Sequence, residues 1–250
     1  MTITQKNPAT TPTFGLPDDA KIQTISLGDT ALAVLSLPCA DRDDAELLAR
    51  ARAWVEGESD AAPKGLLISL QGTQILWVPG RAAVLAPAEC LPAVRPALVE
   101  FSQHEAALRA IEHEVEAGWP DLEADSPLAF DFHEKAAGHR EELARRFQRV
   151  IGLRSRLARL IPQVHRPLIH PPTLASQISE RLRQRTRLID RLEFIGRQIE
   201  VFDHVYEMCS QRASDYRHAR KGHTLEMIII VMLAASVVLQ IVDLLSTLSQ

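Results

Sequence analysis

Short apolar runs that alternate with turn residues characterise residues 21–87. KIQTISLG and ALAVLSL precede a charged helical run, DRDDAELLARARAWVEG, and GLLISL and QILWV follow it. Brief β-prone runs bounded by Gly, Asp and Thr are typical of hairpins. The pattern predicts an α+β fold for this part of the chain, a small N-terminal module in the order β-β-α-β-β.

The segments on either side of this module have weaker patterns. Residues 1–20 lack an apolar run and are predicted to be a disordered leader. Residues 88–130 are predicted to hold a helix between proline-containing linkers. This helix is expected to begin at Ser102, because Glu105 stands at the capping-box spacing, and to end at Gly118.

Residues 131–223 show a helical period on both sides of a proline-rich segment, residues 162–173. Proline removes backbone donors and disfavours helix before it, so the pattern predicts an antiparallel, coiled-coil-like hairpin of long helices. The second arm carries a heptad seam, which the sequence allows to pair either within the hairpin or between chains. The seam positions, spaced alternately four and three apart, are Leu188, Leu192, Ile195, Ile199, Phe202, Tyr206, Cys209, Ala213 and Tyr216.

A longer apolar run, LEMIIIVMLAASVVLQIVDLL, occupies residues 225–245. At 1.5 Å per residue it would extend about 30 Å, close to the thickness of a bilayer core. We therefore predict one C-terminal transmembrane helix. The lipid bilayer is accordingly an expected partner.

Charged and polar residues around this run predict its orientation and its contacts. Basic residues precede it and none follows it, so the N-terminal bulk is expected in the cytoplasm, at the inner membrane if the protein is bacterial. The topology-setting residues are Arg212, Arg217, Arg220 and Lys221. A polar face within the run could join helices, and it consists of Ser236, Gln240 and Asp243.

The composition and motifs of the chain limit the kinds of catalytic or metal site that it could form. The 250 residues carry a formal charge of -4, three cysteines without a CxxC pair, and no nucleotide, zinc-protease or hydrolase motif. The histidines at 133, 139, 165 and 170 do not have the spacing of zinc ligands. No catalytic residue, metal or cofactor is predicted, and the protein is expected not to be an enzyme.

An arginine-rich stretch covers residues 181–191. It could bind the phosphates of RNA or lipid, or it could be the solvated flank of a coiled coil, which is the preferred interpretation. Alternate helical positions point in different directions instead of forming one patch, and aromatic residues make up only 5% of the chain. Nucleic acid is therefore not an expected partner.

Residues 187–233 resemble the family named "required for meiotic nuclear division", in which a long helix leads into an LEWIII-like membrane entry. Here the corresponding residues are Leu225, Glu226, Met227 and the three isoleucines 228–230. The resemblance implies a membrane-anchored oligomer, which in mitochondria supports translation at the inner membrane. It implies no catalytic residues.

Two functions are consistent with the sequence. The first is a membrane-tethered scaffold, expected to be a homo-oligomer, whose soluble head binds a protein partner. The alternative is a ligand-binding protein or enzyme with a site in the N-terminal α+β domain. A cleft that joins Asp41, Asp43, Arg81 and a histidine would favour the alternative.

Overall fold

The computed structural model of the chain describes residues 3–5, 15–17, 19–28, 30–39, 44–57, 64–130, 139–166 and 172–248. Within these ranges, side chains are left undescribed at 3–5, 217–222, 224 and 238–248. The chain divides into two compact units, each built from two stretches. The first contains residues 1–116 and 154–197, and the second contains residues 117–153 and 198–250.

A six-stranded sheet organises the first unit, in the order β1-β2-β3-β6-β5-β4. Strands β3 and β6 are parallel, with Leu35 opposite Ala83, and the other neighbours are antiparallel. The strands are β1 Ile3–Gln5, β2 Lys21–Leu27, β3 Thr30–Pro38, β4 Leu66–Leu70, β5 Thr73–Val78 and β6 Arg81–Ala86.

Helix α1 (Ala45–Glu56) covers one face of this sheet. Its start is capped by Asp44, whose carboxylate accepts a hydrogen bond from the Leu47 N–H at 2.9 Å. Its end is Gly57, which has a positive φ of 73° that disfavours residues with a Cβ. Trp54 and its apolar neighbours on α1 pack against Leu35, Leu37, Leu76, Val78 and Leu85 of the strands.

Helix α2 (Leu91–Asp125) contacts residues that point from the opposite face of the sheet. Because side chains alternate along a strand, Trp77 of β5 points away from the α1 side that Leu76 and Val78 face. The Trp77 ring meets Phe101 of α2 edge-on, with ring centroids 5.1 Å apart. Helices therefore cover both faces of the sheet.

After α2, the described chain consists of helices joined by turns and short irregular segments. A 3-10 turn, Ser126–Ala129, follows α2. The remaining helices are α3 Arg140–Val164, α4 Leu174–Arg185 and α5 Leu188–Leu248. In each unit, segments of α2, α3 and α5 pack together, as Leu157 does against Gly196 in the first unit and Phe202 against Gly118 in the second.

The order of strands differs from the predicted β-β-α-β-β module. Strand β6 is an addition whose sequence, RAAVLA, is too rich in alanine to give a strand signal. Strand β1 lies inside the predicted leader and pairs with β2 at the edge of the sheet. Three residues, Ile3–Gln5, are too few for a periodic pattern to show.

The helices also differ from the prediction. Helix α2 starts at Leu91 and includes Pro92, Pro96 and Pro120, so segments expected to be linkers are helical. The predicted hairpin of two helices is instead a packing of three, because α2 joins α3 and α5. Its second arm is broken between α4 and α5, at Thr186 and Arg187, where Arg187 has a φ of 50°.

Among the described residues, no helix is both long enough and apolar enough to cross a membrane. The predicted transmembrane helix over residues 225–245 is contradicted by this finding. So are the C-terminal anchor and the single-pass location with its cytoplasmic bulk.

Two glycines of the second unit provide a matched test of this packing. A Cβ at Gly118 would lie 2.9 Å from Cε1 of Phe202, whose ring is held edge-on against Trp119. A Cβ at Gly152 of α3 would meet nothing within 4 Å. We expect Gly118→Ala to lower the free energy of unfolding by about 1–3 kcal/mol through overpacking.

The control variant, Gly152→Ala, should raise the free energy of unfolding by about 0.5–1 kcal/mol, because alanine restricts the unfolded chain and favours helix. Urea denaturation of the full chain measures both changes. Stabilisation of similar size by the two variants would show that α2 and α5 do not approach each other at Gly118.

Candidate functional site

A buried ion-pair network in the first unit joins α2 to the beginning of α5. The Glu105 side chain of α2 is 2% exposed. Both of its carboxylate oxygens accept hydrogen bonds from Nη1 of Arg191, at 2.9 and 3.0 Å, and Oε1 also accepts one from Nε of Arg109 at 2.7 Å. The buried negative charge is thus compensated by two guanidinium groups, as burial requires.

Arg191 binds a second carboxylate on the same face of α2. Its Nε and Nη2 donate to the two oxygens of Glu112 at 2.8 and 2.7 Å, the two-pronged geometry that guanidinium and carboxylate favour. Hydrogen bonding to Glu112 raises the pKa of Arg191 further above its ordinary value, against the opposing effect of burial. Arg191 remains charged at any physiological pH.

A cavity of about 420 Å³ lies beside this network, between α2 and one end of the sheet. Glu105 and Arg109 line it from the helix, and Trp77 lines it from β5. The indole N–H of Trp77 donates to the Ser102 hydroxyl at 3.0 Å, so this polar group is satisfied inside the protein. The other lining residues are Leu27, Thr30, Ala31, Pro79, Gly80, Ala106 and Ala110.

The second unit contains a comparable buried carboxylate, Asp125 at the end of α2. One of its oxygens accepts hydrogen bonds from Arg146 of α3 at 2.6 Å and from the Tyr206 hydroxyl of α5 at 3.3 Å. Hydrogen bonding to Asp125 raises the pKa of Arg146. Burial, reinforced by the charge of Asp125, raises the pKa of Tyr206 above its ordinary range.

A second cavity, of about 350 Å³, lies between α3 and α5 in this unit. Tyr206 and Cys209 line it, as do Arg140, Phe147 and Ser210. Burial raises the pKa of the Cys209 thiol to about 11, and the thiol lies 3.7 Å from the Asp125 carbonyl oxygen. A thiol in this state is a poor nucleophile.

Most of the predicted heptad seam is buried within a single chain. The two positions nearest its end, Ala213 and Tyr216, are partly exposed. The predicted coiled coil is therefore corrected to packing against α2 and α3 of the same chain. The buried seam residues are Leu188, Leu192, Ile195, Ile199, Phe202, Tyr206 and Cys209.

The residues expected to act at a membrane lie along α5. Arg212 and Ser236 are exposed. The side chains of Arg217, Arg220, Lys221, Gln240 and Asp243 lie outside the described residues.

The arginine-rich stretch is partly used inside the chain. Arg183 donates to the Val164 carbonyl oxygen at 3.2 Å and to Glu180 at 2.9 Å, while Arg191 forms the network described above. The interpretation of residues 181–191 as a uniformly solvated flank was wrong at these two positions. The period of the sequence indicates which positions share a helix face, but not which other helix they meet.

The structure describes only part of the histidines and of the anticipated cleft. Within the ranges that the structure covers, no cluster of three or more His, Cys, Asp or Glu side chains could hold a metal ion. Arg81 donates to the Trp54 carbonyl oxygen at 3.4 Å. Asp41 and Asp43 lie outside the described residues, as do His133 and His170.

Sequence reasoning did not identify the Glu105 network. Ser102 and Glu105 were expected to cap a helix, but they lie in the interior of α2 and face the sheet and α5. One signal was available, because Glu105, Arg109 and Glu112 recur at spacings of four and three and must share a helix face. Their partner, Arg191, is 79 positions beyond Glu112 and could not be paired from sequence.

Comparisons with known proteins leave the chain without an assigned family. No family model matches it. No curated protein matches it either. Among solved structures it is similar to one described as the structure of the full-length CmaX protein, with 15% identity, a TM-score of 0.42, and coverage of 83% of this chain and 75% of that chain. A similarity at this level supports no inference about function.

The ion-pair network predicts a large difference between two glutamates of α2. Glu105→Gln removes a buried charge from beneath two guanidinium groups, which should lower the free energy of unfolding by about 3 kcal/mol. The control, Glu100→Gln, removes an exposed ion pair in which Glu100 Oε1 lies 3.4 Å from Arg166 Nη1. It should lower the free energy of unfolding by less than about 1 kcal/mol. Equal unfolding midpoints in urea for the two variants would contradict the network.

The environment of Cys209 predicts selective alkylation. With a pKa of about 11 and 1% exposure, the Cys209 thiol should react with iodoacetamide at pH 8 far more slowly than Cys39 and Cys90, which are partly exposed. Peptide mass spectrometry over a time course, with and without urea, measures the three rates. Alkylation of native Cys209 as fast as that of Cys90 would show that the interior of this unit is open to solvent.

Proposed function

We propose that the protein is a non-enzymatic scaffold that works as an assembly of identical chains joined through the apolar part of α5. One observation carries this proposal. From Leu225 to Val237 the described large apolar side chains are all exposed, from 52% at Met227 to 69% at Met232. A folded chain rarely leaves so much apolar surface in water without a partner.

The apolar surface of this segment surrounds the helix. Ile228, Ile229, Ile230 and Val231 are consecutive, and successive helical residues point about 100° apart, so all sides of the helix are apolar. Each such side chain gains about 1.5–3 kcal/mol when it is fully buried. Contact with a single flat surface would cover one side, whereas a bundle of helices covers several.

A second copy of the chain suits this surface best. Identical helices in a symmetric assembly present the same apolar surface to one another, so each copy can bury what the next exposes. Glu226 is the one charged residue from Leu225 to Val237, and its carboxylate lies 3.7 Å from the His223 imidazole of its own chain. No charge within residues 227–237 would oppose close contact between copies.

Two further observations support a structural role. The residues with the largest pKa shifts, Arg191, Tyr206 and Cys209, are all engaged in contacts within the chain, and their shifts favour the protonated form. The resemblance of residues 187–233 to the "required for meiotic nuclear division" family also implies an oligomer. A soluble head that binds a protein partner remains part of the proposal.

Paired aspartates on one face of the apolar segment test the assembly. Ile229 and Leu233 are four residues apart and share a helix face, so Ile229→Asp with Leu233→Asp places two charges in the proposed interface. The lost burial should weaken association by at least about 3 kcal/mol, more than a hundredfold. Sedimentation velocity should show a multiple of 27.8 kDa for the unaltered chain and a shift toward 27.8 kDa for the variant.

The matched control places the same two charges elsewhere on α5. Phe194 and Val201 are 56% and 48% exposed and stand seven residues apart on one face. Phe194→Asp with Val201→Asp should leave the assembled mass unchanged. A monomeric unaltered chain, or an Ile229/Leu233 variant that keeps its assembled mass, would overturn the proposal.

A further inference from the structure

The 420 Å³ cavity of the first unit has the size and walls of a site for a small molecule. Leu27 and Pro79 form apolar walls, and Trp77 contributes an indole that is 4% exposed. These residues come from the ends of β2 and β5 and from the turn that follows β5. The cavity thus has rigid elements around it and a mostly apolar surface.

Small residues on α2 create the space. Ser102, Ala106 and Ala110 recur every four positions and face the end of the sheet, where larger side chains would fill the gap. Gly80, with a φ of 83°, also lines the cavity, and a Cβ at this position would lie 3.7 Å from the Ala31 carbonyl oxygen. The void is therefore built by several residues and does not depend on one rotamer.

The charged residues of the cavity differ in what they can still bind. Glu105 is already paired, because it accepts three hydrogen bonds from Arg191 and Arg109. The Trp77 N–H is engaged by Ser102. A ligand therefore gains little from a cationic group or from a hydrogen bond to the indole.

Arg109 is the cationic side chain that lines the cavity, and it has donors to spare. Its hydrogen bond to Glu105 uses Nε, and among the described residues its two terminal nitrogens make no further hydrogen bond. Its side chain is 48% exposed, so an incoming ligand can reach it from solvent. Two terminal nitrogens of a guanidinium match the two oxygens of a carboxylate.

We propose that this cavity binds a small carboxylic acid with an apolar body, the carboxylate on the terminal nitrogens of Arg109 and the body against Trp77. The apolar walls favour a ligand with an apolar body, and the Arg109 guanidinium favours a ligand with a negative charge. The proposal concerns the first unit and does not depend on assembly through the apolar segment of α5.

Binding can be followed in the full-length chain at a single residue. The chain has three tryptophans, Trp54, Trp77 and Trp119, so labelling with 5-fluorotryptophan gives three 19F resonances that Trp→Phe variants assign. The probe is 2-naphthoate, and its uncharged counterpart is 2-naphthylmethanol. We expect 2-naphthoate to shift the Trp77 resonance and to bind at least tenfold more tightly than the alcohol.

Three variants test the contributions to binding one at a time. They change the charge of Arg109, the volume of the cavity, and an arginine that lies outside the cavity. Arg109→Gln should abolish the preference for the carboxylate, because the guanidinium is lost. Ala106→Leu should weaken both compounds, because it fills the cavity. Arg95→Gln removes an arginine of the same helix outside the cavity and should bind both compounds as the unaltered chain does.

Several results would overturn the proposal. They are an unmoved Trp77 resonance at millimolar 2-naphthoate, a response confined to Trp54 or Trp119, and unchanged carboxylate preference in Arg109→Gln. Thermal melting of each variant checks that it is folded. If Arg109→Gln or Ala106→Leu unfolds, the comparison of acid with alcohol in the unaltered chain and in Arg95→Gln still decides, since equal affinities there contradict the role of Arg109.

Discussion

Burial of the Glu105 carboxylate is the constraint on which the first unit depends. A charge that is 2% exposed is tolerated only beside a compensating group, and Arg191 supplies it from the first turn of α5. Because Arg191 also binds Glu112, two turns further along α2, the relative positions of the two helices are set over that length. The helix is interrupted at Thr186 and Arg187, just before Arg191. Because of this interruption, the direction of α5 is not determined by that of α4.

The second unit uses the same physical solution with other residues. Asp125 of α2 accepts hydrogen bonds from Arg146 of α3 and Tyr206 of α5, so one carboxylate contacts both neighbouring helices. An apolar seam alone specifies register weakly, because a shift by one heptad buries similar side chains. A buried acid has few positions at which its partners can reach it. We therefore interpret Glu105 and Asp125 as the residues that select one register for α5 in each unit.

The sequence predicted elements whose signal is local and could not predict those that depend on distant contacts. Strands β3 and β5 lie in the β-prone runs ALAVLSL and QILWV, and helix α1 lies in the charged run DRDDAELLARARAWVEG that ends at Gly57. Strand β6 is stabilised by parallel pairing with β3, which its alanine-rich sequence does not reveal. The prolines of α2 suggested linkers, but packing of a 35-residue helix against the sheet and α5 outweighs their local cost. Arg191 looked like one of several solvated arginines because only the folded chain brings Glu105 and Glu112 to it.

The structural network also prepares the proposed ligand site. Arg191 occupies both oxygens of Glu105, so Arg109 needs just its Nε to complete the set and keeps its terminal nitrogens for another anion. The bond through Nε also restricts the side-chain rotamers of Arg109, which lowers the entropy lost when a ligand binds. The same hydrogen bonds of Glu105 therefore stabilise the first unit and position Arg109 for the proposed ligand. The small residues Ser102, Ala106 and Ala110 on the same helix face leave the space into which such a ligand fits. One face of α2 therefore accounts for the position of α5 and for the shape and charge of the cavity.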